Sequence, residues 1–190
     1  MDFAALWKKI IEFSNSTQAI YIYLALVFGI IILYRFKKQG KVKLMISDGR
    51  FKNAKLFASK ISSPMAVSGD GYIGIVQGAL TPPLVFNIKE IAAFEIFLDG
   101  HSVASSGETE KSGLLFKGIA TLMVQRMREK TKKINLVFFL EDRTTVNAVL
   151  FSGSSRLVSA IQETTQKEIT GLLAALEDAE KKIKQVSEDN

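Results

Sequence analysis

An uncharged apolar run near the N-terminus, residues 13–34, constrains this chain more than any other feature. A helix rises about 1.5 Å per residue, so such a run can cross the roughly 30 Å hydrocarbon core of a bilayer. Tyrosines at both ends suit the membrane interfaces, where a ring can be buried while its hydroxyl stays wet. We therefore predict a transmembrane helix over residues 16–36, with Tyr21, Tyr23 and Tyr34 as interfacial anchors.

Basic residues follow the run directly, and residues 37–41 form a basic juxtamembrane collar. Lysine and arginine beside a span are retained on the cytoplasmic side. The other flank has only Lys8 and Lys9, offset by Asp2 and Glu12. We therefore predict an inner-membrane, single-pass protein with its N-terminus outside and its C-terminal domain in the cytoplasm. The basic residues that we expect to meet anionic lipid here are Arg35, Lys37, Lys38, Lys41 and Lys43.

Residues 1–15 precede the span and have apolar side chains at helical spacing, which predicts an amphipathic helix. This helix either lies in the far interface, anchored by Trp7, or prolongs the transmembrane helix. A cleaved signal peptide is the alternative for the whole region. The apolar run exceeds a normal signal-peptide core, however, and no small-residue cleavage site follows it.

The rest of the chain, about 150 residues, is long enough for one compact domain with its own core. Because the chain contains no cysteine, disulfides, thiolate chemistry and cysteine-ligated metals are excluded. Short runs rich in valine, isoleucine and phenylalanine alternate with turn residues, a pattern typical of antiparallel strands. The predicted fold class is α+β: the transmembrane helix, then an antiparallel β-barrel or sandwich over residues 42–176, closed by a long C-terminal helix.

The predicted strands comprise an opening series and two hairpins. Asp99-Gly100 supplies a tight turn for the first hairpin, and Glu141-Asp142-Arg143 supplies the turn for the second. In chain order the strands are 42–47, 53–58, 65–68, 72–76, 84–88, 91–98, 101–104, 134–140 and 144–151.

The segment between the hairpins, residues 113–133, has apolar residues at helical spacing and then a basic end, which predicts an amphipathic helix. Two interpretations are open. The helix lies on an anionic membrane surface, or its apolar face covers the open edge or mouth of the sheet while its basic end is solvated. The basic residues of the membrane interpretation are Arg126, Arg128, Lys130, Lys132 and Lys133.

A long helix is predicted for the C-terminal part of the chain, with Ser154 or Ser155 as its cap. Apolar residues recur every three or four positions as far as Val186. The half that ends at Leu176 is expected to pack on the sheet. Residues 177–190 form a charged helical tail, which is either solvated or faces a partner.

Residue types that carry chemistry are sparse. His101 is the sole histidine and follows a predicted turn, where an exposed histidine needs no function. The carboxylate pairs lie in loops and turns, where they are more often solvated than catalytic. We therefore predict that the chain is not an enzyme, that it uses no cofactor or metal, and that it has no nucleic-acid partner. No small-molecule substrate is identified.

Residues 86–100, FNIKEIAAFEIFLDG, resemble a signature of bacterial pleckstrin-homology-like (PH-like) domains. In that signature a strand precedes Ile-x-x-Phe/Tyr-Glu-Ile-x-x-Asp-Gly. The likeness continues through a Ser/Gly-rich loop, an apolar segment, a lysine-rich stretch, a strand and a helix after Ser154-Ser155, and it covers about residues 42–176. The apolar segment departs from the pattern, since Gly113 and Gly118 are its only glycines. We also expect no separate C-terminal oligomerisation module after the helix, which is a second departure.

The resemblance implies a binding or scaffolding fold and no catalytic residues. We therefore expect a membrane-anchored PH-like module at the inner membrane surface, whose partners are membrane lipids and either a protein or a second copy of the chain. The alternative is an oligomerising subunit of a membrane complex, such as a pore-associated, defence or toxin-like assembly. Gly29 in the span would then permit close helix contact.

Overall fold

The computed structural model describes residues 17–58, 62–106, 114–127, 131–153 and 158–188. Its class is α+β: an N-terminal apolar helix, two antiparallel sheets and a C-terminal helix, with a short helix between β6 and β7. The elements are α1 (Thr17–Ser47), β1 (Lys55–Phe57), β2 (Met65–Val67), β3 (Tyr72–Ile75), β4 (Leu84–Asn87), β5 (Ile91–Leu98), β6 (His101–Ser105), α2 (Ile119–Arg126), β7 (Lys133–Leu140), β8 (Thr145–Ser152) and α3 (Val158–Glu188). The 3₁₀ turns Gly49–Phe51 and Ile88–Glu90 precede β1 and β5.

The two sheets have four strands each. The first has the order β1-β2-β3-β4 and the second the order β6-β5-β7-β8. Within the described ranges no strand ladder joins the sheets into a closed barrel. They adjoin at one corner, where the N–H groups of Ser62 and Ser63 donate to the carbonyls of Leu150 and Val149 at 3.1 and 2.8 Å. The chain before β2 thus continues the second sheet beyond β8.

Phenylalanines from both sheets fill the core between them. The ring centroids of Phe86 on β4 and Phe138 on β7 are 5.4 Å apart, which brings the two sheets into direct contact. Phe94 on β5 stacks on Phe116 with centroids 4.7 Å apart. Apolar residues at helical spacing on α3 cover the remaining opening. These are Ile169, Leu172, Leu173, Leu176 and Ala179, and all are buried.

The predicted strand at residues 42–47 is wrong, because these residues form the last part of α1. Val42 and Met45 are three residues apart on one face of that helix, and they pack against Phe51 and Ala66. This packing outweighs the strand propensity of valine and isoleucine. The other strands form where predicted, with bounds that differ by at most two residues, and the two-residue Asp99-Gly100 turn is confirmed.

The helix predicted within residues 113–133 is shorter than expected, since α2 has only eight residues. It begins after Gly118, whose φ of 72° lies in the left-handed region that favours glycine, and it ends where Met127 becomes extended. Phe116, Ile119 and Met123 are buried in the main core. Of the two interpretations, the structure therefore supports the one in which the apolar face covers the β domain.

The turn that leads into α2 is held by carboxylates from α3. The N–H groups of Leu115 and Phe116 donate to Glu180 Oε1 and Oε2 at 2.6 and 2.9 Å, and the N–H of Gly118 donates to Glu177 Oε2 at 3.1 Å. These N–H groups belong to the turn before α2, and negative charge beside a helix N-terminus is favoured. The expectation of a solvated tail is thus corrected as far as Ile183, which packs against the core.

Replacing Glu180 by alanine should destabilise the domain by about 1–3 kcal/mol, because the N–H groups of Leu115 and Phe116 lose their acceptor. The measurement is chemical unfolding of the full chain in detergent. Glu188→Ala is the matched control, since Glu188 lies exposed at the end of the same helix. Equal stability of the two variants would show that the carboxylate does not hold α2.

Candidate functional site

The first candidate surface is helix α1, which is long and apolar enough to cross a membrane by length and composition. Only 6% of its most apolar stretch is buried, whereas a core helix of a soluble protein would be mostly covered. The predicted anchors Tyr21, Tyr23 and Tyr34 all lie exposed on this helix. The amphipathic helix predicted for residues 1–15, with Trp7, lies outside the described residues.

The basic collar lies on the same unbroken helix. Arg35, Lys37 and Lys43 are exposed, while Lys38 and Lys41 are half-buried. The ammonium group of Lys38 donates a hydrogen bond to the carbonyl of Ser62, so the β domain already contacts α1 one turn beyond Tyr34. The collar is therefore also the start of the contact between helix and domain.

Further along, α1 packs directly on the outer face of the first sheet at Gly74. A Cβ atom at Gly74 would lie 2.5 Å from Met45 Sδ and 2.8 Å from Phe51 Cζ. Real Cβ atoms essentially never approach other heavy atoms so closely, so only glycine accommodates this packing. Met45, Phe51, Ala66 and Val76 form a small buried cluster there, separate from the main core.

Polar contacts hold the chain where α1 ends. Arg50 Nη2 forms an ion pair with Asp48 Oδ2 at 2.6 Å, and the Asp48 carboxylate also accepts a hydrogen bond from the Arg50 N–H at 3.0 Å. The guanidinium lies 5.6 Å from the centroid of the Tyr72 ring. Hydrogen bonds from the Arg50 side chain lower the pKa of Asp48 to about 2, so the pair is ionised at neutral pH.

The contacts of α1 define two ends of the β domain. Lys38 contacts Ser62, and Met45, further along α1, contacts Gly74. Gly74 pairs with Ala66, which comes after Ser62 on the chain. Going back along α1 from Met45 to Lys38 therefore means going from the Ala66 end toward the Ser62 end of the domain. The Ser62 end of the domain therefore faces the apolar part of α1. We call this end, with the β3–β4 loop, the proximal pole. The opposite end, with the β2–β3 turn, is the distal pole.

The second predicted basic group lies at the proximal pole. Lys133 at the start of β7 pairs with Ser152 on β8. Ser152 lies two residues beyond Leu150, whose carbonyl accepts a hydrogen bond from the Ser62 N–H. The N–H groups of Lys132 and Lys133 donate to Asp99 Oδ1 at 2.9 and 2.8 Å. The structure thus brings these two lysines to the same pole as Lys38.

Arg126 is the last residue of α2 and lies near the Asp99-Gly100 turn, since it lines a cavity with Leu98, Asp99 and His101. His101, for which we predict no catalytic role, is exposed there at the start of β6. Arg128 and Lys130 lie outside the described residues. Helix α2 therefore runs from the turn held by Glu177 and Glu180 toward the proximal pole, with its basic end at that pole.

A groove at the distal pole was not predicted from the sequence. It encloses about 560 Å³. One wall is the end of α3, where Val186 is 63% exposed, and the other is formed by the β2–β3 turn and the 3₁₀ turn Ile88–Glu90. The lining residues are Gly69, Asp70, Tyr72, Asn87, Lys89, Glu90, Lys182, Ile183 and Val186.

The second wall of the groove is held by a set of hydrogen bonds around Asn87. Its side-chain oxygen accepts from the Lys89 N–H at 3.0 Å, and its side-chain nitrogen donates to the carbonyl of Asp70 at 3.3 Å. Glu90 Oε1 in turn accepts from the Asn87 N–H at 2.9 Å. A binding surface with such a fixed wall loses little conformational entropy when it is occupied.

Comparisons with protein-family models, curated proteins and solved structures gave no match. Among the residues that the structure describes, no three histidine, aspartate or glutamate side chains are grouped to hold a metal ion. The geometry of the two poles is therefore what points to a function.

Replacing Gly74 by valine should separate the end of α1 from the first sheet, because the added side chain clashes with Met45 and Phe51. We expect a loss of about 1–3 kcal/mol in the free energy of unfolding, the usual cost of overpacking. Trypsin should also cut faster at Arg50 and Lys52 in detergent. Gly49→Val is the matched control, since a Cβ at Gly49 meets nothing within 4 Å. Equal cleavage of both variants would contradict the packing.

Proposed function

We propose that this chain is a single-pass protein of the inner membrane whose cytoplasmic β domain is a PH-like binding or scaffolding module. The observation that carries the proposal is the division of α1 into two parts. Large apolar side chains from Ile20 to Leu33 are exposed, while Val42 and Met45 pack on the sheet. A helix with that division can be covered by lipid along one part and by its own domain along the other.

The distribution of basic residues supports the placement at the membrane. The collar on α1 and the lysines at the start of β7 lie at the same pole of the domain, next to the predicted span. Each basic residue near an anionic leaflet contributes roughly 1 kcal/mol of attraction. Lysine and arginine on this flank of a span also favour the cytoplasmic side.

The distal groove supports a binding role, since it would face away from the membrane. Ile183 and Val186 supply apolar surface, and Lys89, Glu90 and Lys182 supply charges of both signs. An apolar centre with a polar rim is the usual anatomy of a protein-binding surface. We infer that a protein partner binds there, in keeping with the binding or scaffolding role that the PH-like resemblance implies.

Affinity purification from gently solubilised membranes tests the binding role. We expect Val186→Arg to lose the partner that copurifies with the wild-type chain, because an arginine on α3 places a charge in the apolar part of the groove. Val124→Arg is the matched control, since Val124 is exposed on α2 and does not line the groove. Retention of the same partner by both variants would rule out the groove as its binding site.

A further inference from the structure

The β3–β4 loop, residues 76–83, presents an apolar tip at the proximal pole. Leu80 is 79% exposed, the highest value for a large apolar side chain among the described residues. Ala79 beside it is buried and fixes the base of the tip. The chain carries no charge anywhere in residues 71–88, and Pro82 and Pro83 restrict the loop backbone. Leu84, just after the prolines, is also partly exposed, so the loop presents an uncharged apolar surface and not a single leucine.

The register of the structure places this tip beside the end of the predicted span. Met45 packs at Gly74. Tyr34 lies eleven residues before Met45, which is about 16 Å along the axis of α1. From Gly74, β3 and its loop extend in the same direction, because Val76 hydrogen-bonds to Pro64 on the Ser62 side. The loop turns back between Gly78 and Thr81, since a Cβ at Gly78 would lie 3.5 Å from Thr81 Oγ1. About four extended residues, or roughly 13 Å, therefore separate Gly74 from the turn. This brings Leu80 to within about one helical turn of the level of Tyr34.

We propose that the β3–β4 loop inserts Leu80 into the interfacial region of the leaflet from which α1 emerges. This inference rests on the proposed function, because it requires α1 to cross the bilayer. The occupant is lipid because the loop lies at the level where the exposed apolar part of α1 ends and because the basic residues of the proximal pole attract anionic headgroups. The loop itself contains no carboxylate that would repel those headgroups.

The second contact gives the domain a defined orientation. A single span can still tilt and rotate in the bilayer and carry its attached domain with it, whereas a helix and a loop at the same level define a plane. With both in the bilayer, the proximal pole faces lipid. The distal groove then opens toward the cytoplasm, where a protein partner can reach it.

Single cysteines carrying an environment-sensitive dye test this inference, and the chain offers a clean background because it has no cysteine. The full chain is reconstituted in vesicles that contain anionic lipid, with and without lipids bearing a nitroxide at the acyl chain. The labelled positions are Leu80→Cys at the tip, Asp70→Cys at the opposite end of β3, and Val27→Cys within the span.

We expect the dye at positions 80 and 27 to be quenched severalfold more than the dye at position 70, with emission shifted to shorter wavelength. Quenching at position 27 but not at 80 overturns the loop contact and leaves the span intact. Equal quenching at 80 and 70 also overturns it, since the domain then has no orientation. Absence of quenching at 27 overturns both the anchor and the inference.

A second pair of variants distinguishes the effect of Leu80 from that of the dye, which is itself apolar. The dye is placed at Thr81→Cys, and Leu80 is either kept or changed to aspartate. We expect Leu80→Asp to reduce quenching at position 81 severalfold, because a carboxylate is excluded from the interface. Unchanged quenching would show that the dye, and not Leu80, enters the membrane.

Discussion

The contact between the end of α1 and Gly74 is the constraint on which the rest of the structure depends. Met45 and Phe51 approach the sheet so closely that no side chain fits at position 74. Together with the hydrogen bond from Lys38 to Ser62, this packing gives two points of attachment along one helix. Two points fix the direction of the helix relative to the strands, and that direction is what gives the domain a proximal and a distal pole.

A second constraint orients helix α2 between the same two poles. Glu177 and Glu180 hold its N-terminus against α3, so its apolar face turns into the core and its basic end points to the proximal pole. The apolar residues of this segment thus stabilise the domain, and Arg126 at its basic end lies near the Asp99-Gly100 turn with Lys132 and Lys133.

Much of this architecture could be predicted from local patterns. The apolar helix, the strand Ile91–Leu98 with its Asp-Gly turn, and the C-terminal helix follow from composition, turn chemistry and periodicity. Residues 42–47 could not be predicted, because a contact with Phe51 decides between helix and strand there. The distal groove was missed for a similar reason: the Ile88–Glu90 turn and Val186 are about a hundred residues apart and meet only in the fold.

The central claim is that α1 crosses the membrane and holds the β domain on its cytoplasmic face. It is tested most directly by labelling Asp70→Cys, at the distal pole, with a membrane-impermeant maleimide in intact cells and in inside-out vesicles. We predict that the cysteine reacts in the vesicles and not in intact cells, while the protein resists extraction from the membrane by alkaline carbonate. Reaction in intact cells, or release by carbonate, would contradict the claim.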